Sequence, residues 1–134
     1  MMDKRISYTE ICGKEFPLCL TVAAEQKIID RFGGLQQMAE AMENGEAGIP
    51  LIVNLAHILL EGGAARVKAL AWMEGTDANA PEVPKLELLQ ELLDLKDAND
   101  LAPQLFAAIK VSRGVTVETR EEANEGKNAE TTQE

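Results

Sequence analysis

Apolar residues fall at every second position from Phe16 to Val22, and beyond Thr21 they recur at three- and four-residue spacing as far as Ile109. Side chains alternate across a strand, so residues 4–22 predict a β-hairpin. A turn at Gly13-Lys14 sets Cys12 against Glu15, Ile11 against Phe16, Thr9 against Leu18 and Ser7 against Leu20. That register gathers Ile11, Phe16, Leu18, Leu20 and Val22 on one face and Tyr8, Glu10 and Cys19 on the other. A two-stranded hairpin is not stable alone, so its apolar face is expected to pack on helices. Cys19 then lies opposite Tyr8 rather than Cys12, which argues against a disulfide between the two cysteines.

The helical spacing divides at glycine and proline. Thr21 can cap a first helix to Phe32, with Val22, Glu25, Ile28, Ile29 and Phe32 in one stripe, and Gly33-Gly34 stops it. A short second helix carries Leu35, Met38, Ala39 and Met42 and ends at Asn44-Gly45. The longest helix starts near Ile49-Pro50 and carries Ile52, Leu55, Ala56, Leu59, Leu60 and Gly63 on one line. Leu51, Ile58 and Ala65 lie partly outside that line, so this helix is either central to the core or covered by a partner. Gly62-Gly63 either kinks it or admits another backbone, and the helix resumes through Arg66, Lys68 and Trp72. After a loop from Gly75 to Pro84 comes a leucine-rich helix with Leu86, Leu88, Leu89, Leu92, Leu93 and Leu95. Asp94 to Asp100 reads as a turn, and a last helix with Leu101, Leu105, Phe106, Ala108 and Ile109 stops at Gly114. The expected fold is mainly α: a small bundle of about five helices with the hairpin packed on it, one domain over residues 1–114.

Composition changes this picture in three ways. Aromatics are only 4% of the 134 residues, so Leu, Ile, Val, Ala and Met must build the core. The formal charge is −10, the wrong sign for neutralising phosphate, so neither nucleic acid nor an anionic membrane is an expected partner. The charge concentrates at the end: residues 115–134 hold six glutamates against one arginine and one lysine and lose the apolar periodicity, the pattern of a disordered acidic tail. The start, Met1-Met2-Asp3-Lys4-Arg5, leads into no apolar signal region, and the stretch Ile49 to Leu60 is broken and too short to span a bilayer. A cytoplasmic protein with reduced thiols is expected.

Candidate chemistry is sparse. The single histidine, His57, sits mid-helix between Ala56 and Ile58, a position suited to a core edge or an interface rather than to a general base. Cys12 and Cys19 lack a second pair at zinc spacing. Asp94, Asp97 and Asp100 lack the glycine and terminal glutamate of a calcium loop and read as helix-capping residues. Gly33-Gly34 and Gly62-Gly63 have no following Gly-Lys-Ser/Thr of a phosphate loop. Glu121-Glu122 lies in the tail, with no pocket around it. No catalytic residue, cofactor site or metal site is expected, and the protein reads as one that is not an enzyme. The positive signal is surplus: the third and fourth helices carry more Leu, Ile and Val than one buried stripe requires, which points to a partner surface. Leu51, Leu55, Ile58, Leu59, Leu89 and Leu93 are the expected partner-binding residues.

The opening carries a resemblance. Ile11-Cys12-Gly13-Lys14-Glu15-Phe16-Pro17-Leu18 runs into Thr21-Val22-Ala23-Ala24-Glu25 and then Arg31-Phe32-Gly33-Gly34-Leu35. It resembles the tail assembly chaperones of long-tailed bacteriophages and prophages, especially those of Gram-positive hosts. The likeness covers residues 5–115 in layout and is close only over the first thirty or so. It implies a chaperone that binds the tape measure protein, a long helical chain that aggregates alone, keeps it soluble and helps recruit tail tube protein around it. It further implies a place in the host bacterial cytoplasm and absence from the finished virion, with self-association left open. In many such phages a ribosomal frameshift makes a longer second product. Gly126-Lys127-Asn128 can be encoded as GGA-AAA-AAC, which contains the slippery heptamer A-AAA-AAC. Two other readings stand beside this one: a structural minor tail or head–tail connector protein, and a cytoplasmic regulatory adaptor that sequesters a helical partner.

Overall fold

The computed structural model describes residues 4–43, 48–77 and 79–114. The expected acidic tail at 115–134, with its Gly126-Lys127-Asn128 and Glu121-Glu122, lies outside the described residues, as does the Asn44-Gly45 helix end. Among the described residues there are two strands and five helices, with the hairpin first. The fold is mainly helical.

Cys12 and Gly13 hold φ of 51° and 81°. Two successive positive φ values match a type I′ turn, whose twist suits a two-residue hairpin loop. Strand β1 (Ser7–Ile11) pairs antiparallel with β2 (Lys14–Leu18), with Ser7 facing Leu18, Thr9 facing Phe16 and Ile11 facing Lys14. This corrects the expected turn by one residue and the register by two. The reason lies past the strand. The Cys19 N–H donates to Leu59 O at 3.2 Å and the Leu20 N–H to Ser112 Oγ at 2.9 Å, so neither can extend the ladder toward Tyr8 or Ser7. A slip of two preserves the faces. Ile11, Phe16 and Leu18 are buried together, and Tyr8 and Glu10 stay exposed. Cys19, expected beside Tyr8, is instead buried, because alternation lapses where the strand ends; Cys12 and Cys19 do not form a disulfide.

Thr21 caps α1 (Val22–Phe32), its Oγ1 accepting from the Ala24 N–H at 3.0 Å. Ala24 and Ile28 face the core. Val22 and Ile29, expected in the buried stripe, are exposed. Packing turned the helix about its axis so that small Ala24 meets Gly62 of the long helix. After α2 (Leu35–Met42), which buries Met38, comes α3 (Ile49–Glu74), with Pro50 in its first turn.

Helix α3 is the axis of the molecule. It packs on β2, α1, α2, α4 and α5. Its first half is buried nearly all round: Ile52, Val53, Leu55, Ala56, Ile58, Leu59 and Leu60 all lie in the core. Gly62-Gly63 does not interrupt it. The pair admits another backbone: the carbonyl oxygens of Cys19 and Pro17 occupy the space that a Cβ at Gly62 and at Gly63 would fill.

The last two helices divide differently from the spacing. Helix α4 (Leu86–Leu92) is short, and α5 (Leu95–Ser112) begins where a turn was expected. Asp94 is the reason. Its Oδ1 accepts from the Asp97 N–H at 2.8 Å while Asp97 Oδ2 accepts from the Asp94 N–H at 3.2 Å, a reciprocal cap that starts a helix at Leu95. Buried residues from every element form one core cluster.

Candidate functional site

The six residues expected to bind a partner divide sharply. Leu55, Ile58, Leu59 and Leu89 are at most 1% exposed and belong to the core, so they are corrected from surface to interior. Leu51 and Leu93 are partly buried and pack against that core. The apolar surplus of the first half of α3 is thus absorbed by the elements around it.

What remains outside is a second row of leucines. In α4, Leu89 points inward, while Leu88 (53% exposed) and Leu92 (39%), one helical turn apart, point outward, and Leu95 (57%) follows at the start of α5. Leu88 and Leu92 form one wall of a groove of about 510 Å³. Ile11 and Phe16 of the hairpin, Cys12 at the turn, and Glu82, Val83, Pro84 and Lys85 ahead of α4 complete its lining. Strand alternation places Ile11, Lys14 and Phe16 on this one face, and the Lys14 ammonium lies 5.8 Å from the Phe16 ring centroid. The Cys12 thiol reaches toward Leu92 O at 3.9 Å, fastening the turn to the end of α4.

Across Ile11 and Cys12 lies a smaller hollow of about 250 Å³, lined by Glu10, Leu93, Asp97, Asp100, Leu101 and Gln104. Its character is acidic. The carboxylates already have work: Asp97 completes the α5 cap, and Asp100 accepts from Lys96 Nζ at 2.8 Å, a hydrogen bond that raises the Lys96 pKa above its ordinary value, with the Asp100 charge adding to it. Gln104 Oε1 accepts from the Thr9 hydroxyl at 2.6 Å, tying β1 to α5. Among the described residues, no three His, Cys, Asp or Glu side chains are arranged to hold a metal ion.

His57 sits at a core edge. Its Nε2 is 3.5 Å from Glu61 Oε2, and Lys27 donates to Glu61 Oε1 at 3.0 Å, so the row links α1 to α3. Among the described residues, His57 Nδ1 is buried without a hydrogen-bond partner. Trp72 and Met73, adjacent near the end of α3, are also well exposed. The Leu88–Leu92 row was missed for one reason. Spacing alone shows that α4 carries two leucine rows, and does not say which of them faces inward. Among the described residues no helix is long and apolar enough to cross a membrane.

No family model matches the chain, and neither does any curated protein or solved structure.

Proposed function

We propose that this protein is a tail assembly chaperone of a long-tailed bacteriophage or prophage, which holds the tape measure chain soluble and helps gather tail tube subunits around it. The observation that carries the reading is the groove between the hairpin and α4, walled by exposed Leu88 and Leu92. Apolar grooves of this form accept amphipathic helices, whose anchors recur every third or fourth residue, and a tape measure protein is a long helical chain. The resemblance of residues 11–18, 21–25 and 31–35 to this family supports the assignment. The charge of −10 suits a carrier that must keep a loaded complex dispersed. The mechanism is reversible shielding without a covalent step, in the host cytoplasm, with release before the virion is complete.

Co-expression with the tape measure protein of the same genome tests this. The tape measure should be soluble with the wild-type chain and sediment with a Leu88→Glu/Leu92→Glu variant that still folds. A tape measure that stays insoluble with the wild-type chain, or this protein recovered in purified virions, overturns the proposal. The gene offers an independent check: a slippery heptamer at codons 126–128 followed by an overlapping −1 frame is the expected arrangement.

A further inference from the structure

From the charges around the groove we infer the chemistry of its occupant: an amphipathic helical segment whose apolar stripe is bordered by aspartate or glutamate. This deepens the groove reading above and rests on it. Acidic residues outnumber basic ones in the chain by 23 to 13, yet the charged residues that line the groove are two lysines, Lys14 and Lys85, and one glutamate, Glu82. The local balance is reversed. Neither lysine is ion-paired with a carboxylate among the described residues. Both are exposed. Lys14 is held on the groove side by β2, where it alternates with Glu15 and shares a face with Phe16, and Lys85 immediately precedes α4. One stands on β2 and the other at the start of α4, so an apolar stripe laid against Ile11, Phe16, Leu88 and Leu92 lies in a groove whose lining carries a cation from each of two elements. Rim charges of this kind select a partner by sign more than they add affinity. A lysine-bordered stripe meets two like charges there, and a carboxylate-bordered stripe meets two partners. The acidic remainder of the molecule repels the same carboxylates elsewhere, which confines such a segment to this groove.

The groove carries its own reporter. Cys12 is exposed and lines it, while Cys19 is buried. An occupant should therefore slow alkylation of one thiol in the full-length wild-type chain. The probes are two synthetic helical peptides with identical leucine stripes, one bordered by glutamate and one by lysine. The glutamate peptide should bind and protect Cys12, with binding weakened by salt. In a Lys14→Glu/Lys85→Glu variant its affinity should fall about tenfold, as expected for two exposed charge pairs, while the lysine peptide gains. Protection is read as the ratio of alkylation rates with and without peptide for each variant, because the substitutions themselves alter thiol reactivity. Equal binding of the two peptides, preference for the lysine peptide, or no protection by either overturns the inference. If the glutamate peptide is selected while the tape measure is not solubilised, the tail chaperone reading fails alone. If the tape measure is held equally well by the charge-reversed variant, the groove chemistry fails alone.

Discussion

At Gly62 and Gly63 the fold depends on the absence of a methyl group. The carbonyl oxygens of Cys19 and Pro17 lie against the α3 backbone where side chains would begin, and both are main-chain atoms that cannot swing aside. Alanine at either position should push the Pro17–Cys19 backbone away from α3 and weaken the Cys19 N–H to Leu59 O bond. Overpacking of this kind costs about 3 kcal/mol. Urea denaturation of Gly63→Ala should show a loss of that order, and a loss below about 1 kcal/mol would mean the approach is softer than the geometry implies. The sequence narrowed the role of this pair to a kink or a close approach. Only the neighbouring strand, distant in sequence, chose between them.

The α4 element sets two leucine rows in opposition. Leu89→Ala should destabilise by about 3 kcal/mol, because it empties a site in the packed interior. Leu88→Ser and Leu92→Ser should each cost about 1 kcal/mol or less, because these side chains are already 53% and 39% exposed. Thermal unfolding of the three variants separates the rows, and a large loss at Leu88 would place it in the core instead. The junction to α5 depends on the Asp94–Asp97 reciprocal cap. Asp94→Ala should cost about 1 kcal/mol, read by denaturation, with no change in groove binding. This start was poorly legible from spacing. Asp94, Asp97 and Asp100 read as capping residues within a turn, and Asp94 and Asp97 do cap, but Pro103 makes Leu101 resemble the beginning of the helix, whereas Pro103 lies inside α5.

For the whole molecule, Ser112 joins the two ends of the described chain. Its Oγ accepts from the Leu20 N–H at 2.9 Å and donates to Arg5 O at 3.2 Å, while the Arg5 guanidinium donates to Ser112 O at 3.2 Å. The hairpin entry, the lead into α1 and the last turn of α5 are thereby one unit. Ser112→Ala strips the Leu20 N–H of its partner and should cost about 2 kcal/mol. Hydrogen exchange at Leu20 should accelerate with it, and an unchanged rate would show that another acceptor takes over. The surface ion pairs Lys27–Glu61 and Arg113–Glu25 are roughly 40–50% exposed and contribute little by comparison.

The order and kind of the elements were legible in the chain because they rest on local rules: a Thr21 cap, a proline at the start of α3, a period of two in the hairpin and of about 3.6 beyond it. The faces of the hairpin were legible as far as Leu18 for the same reason, since a slip of two leaves them unchanged, while Cys19 and Val22 beyond the strand were not. Burial was not. Local spacing shows how many apolar rows a helix has, but which row is covered depends on neighbours brought together from far along the chain. Five elements close around α3 and take Leu55, Ile58 and Leu59 inside, whereas α4 is met on one side only and leaves Leu88 and Leu92 above a groove that the pattern of residues could not foretell.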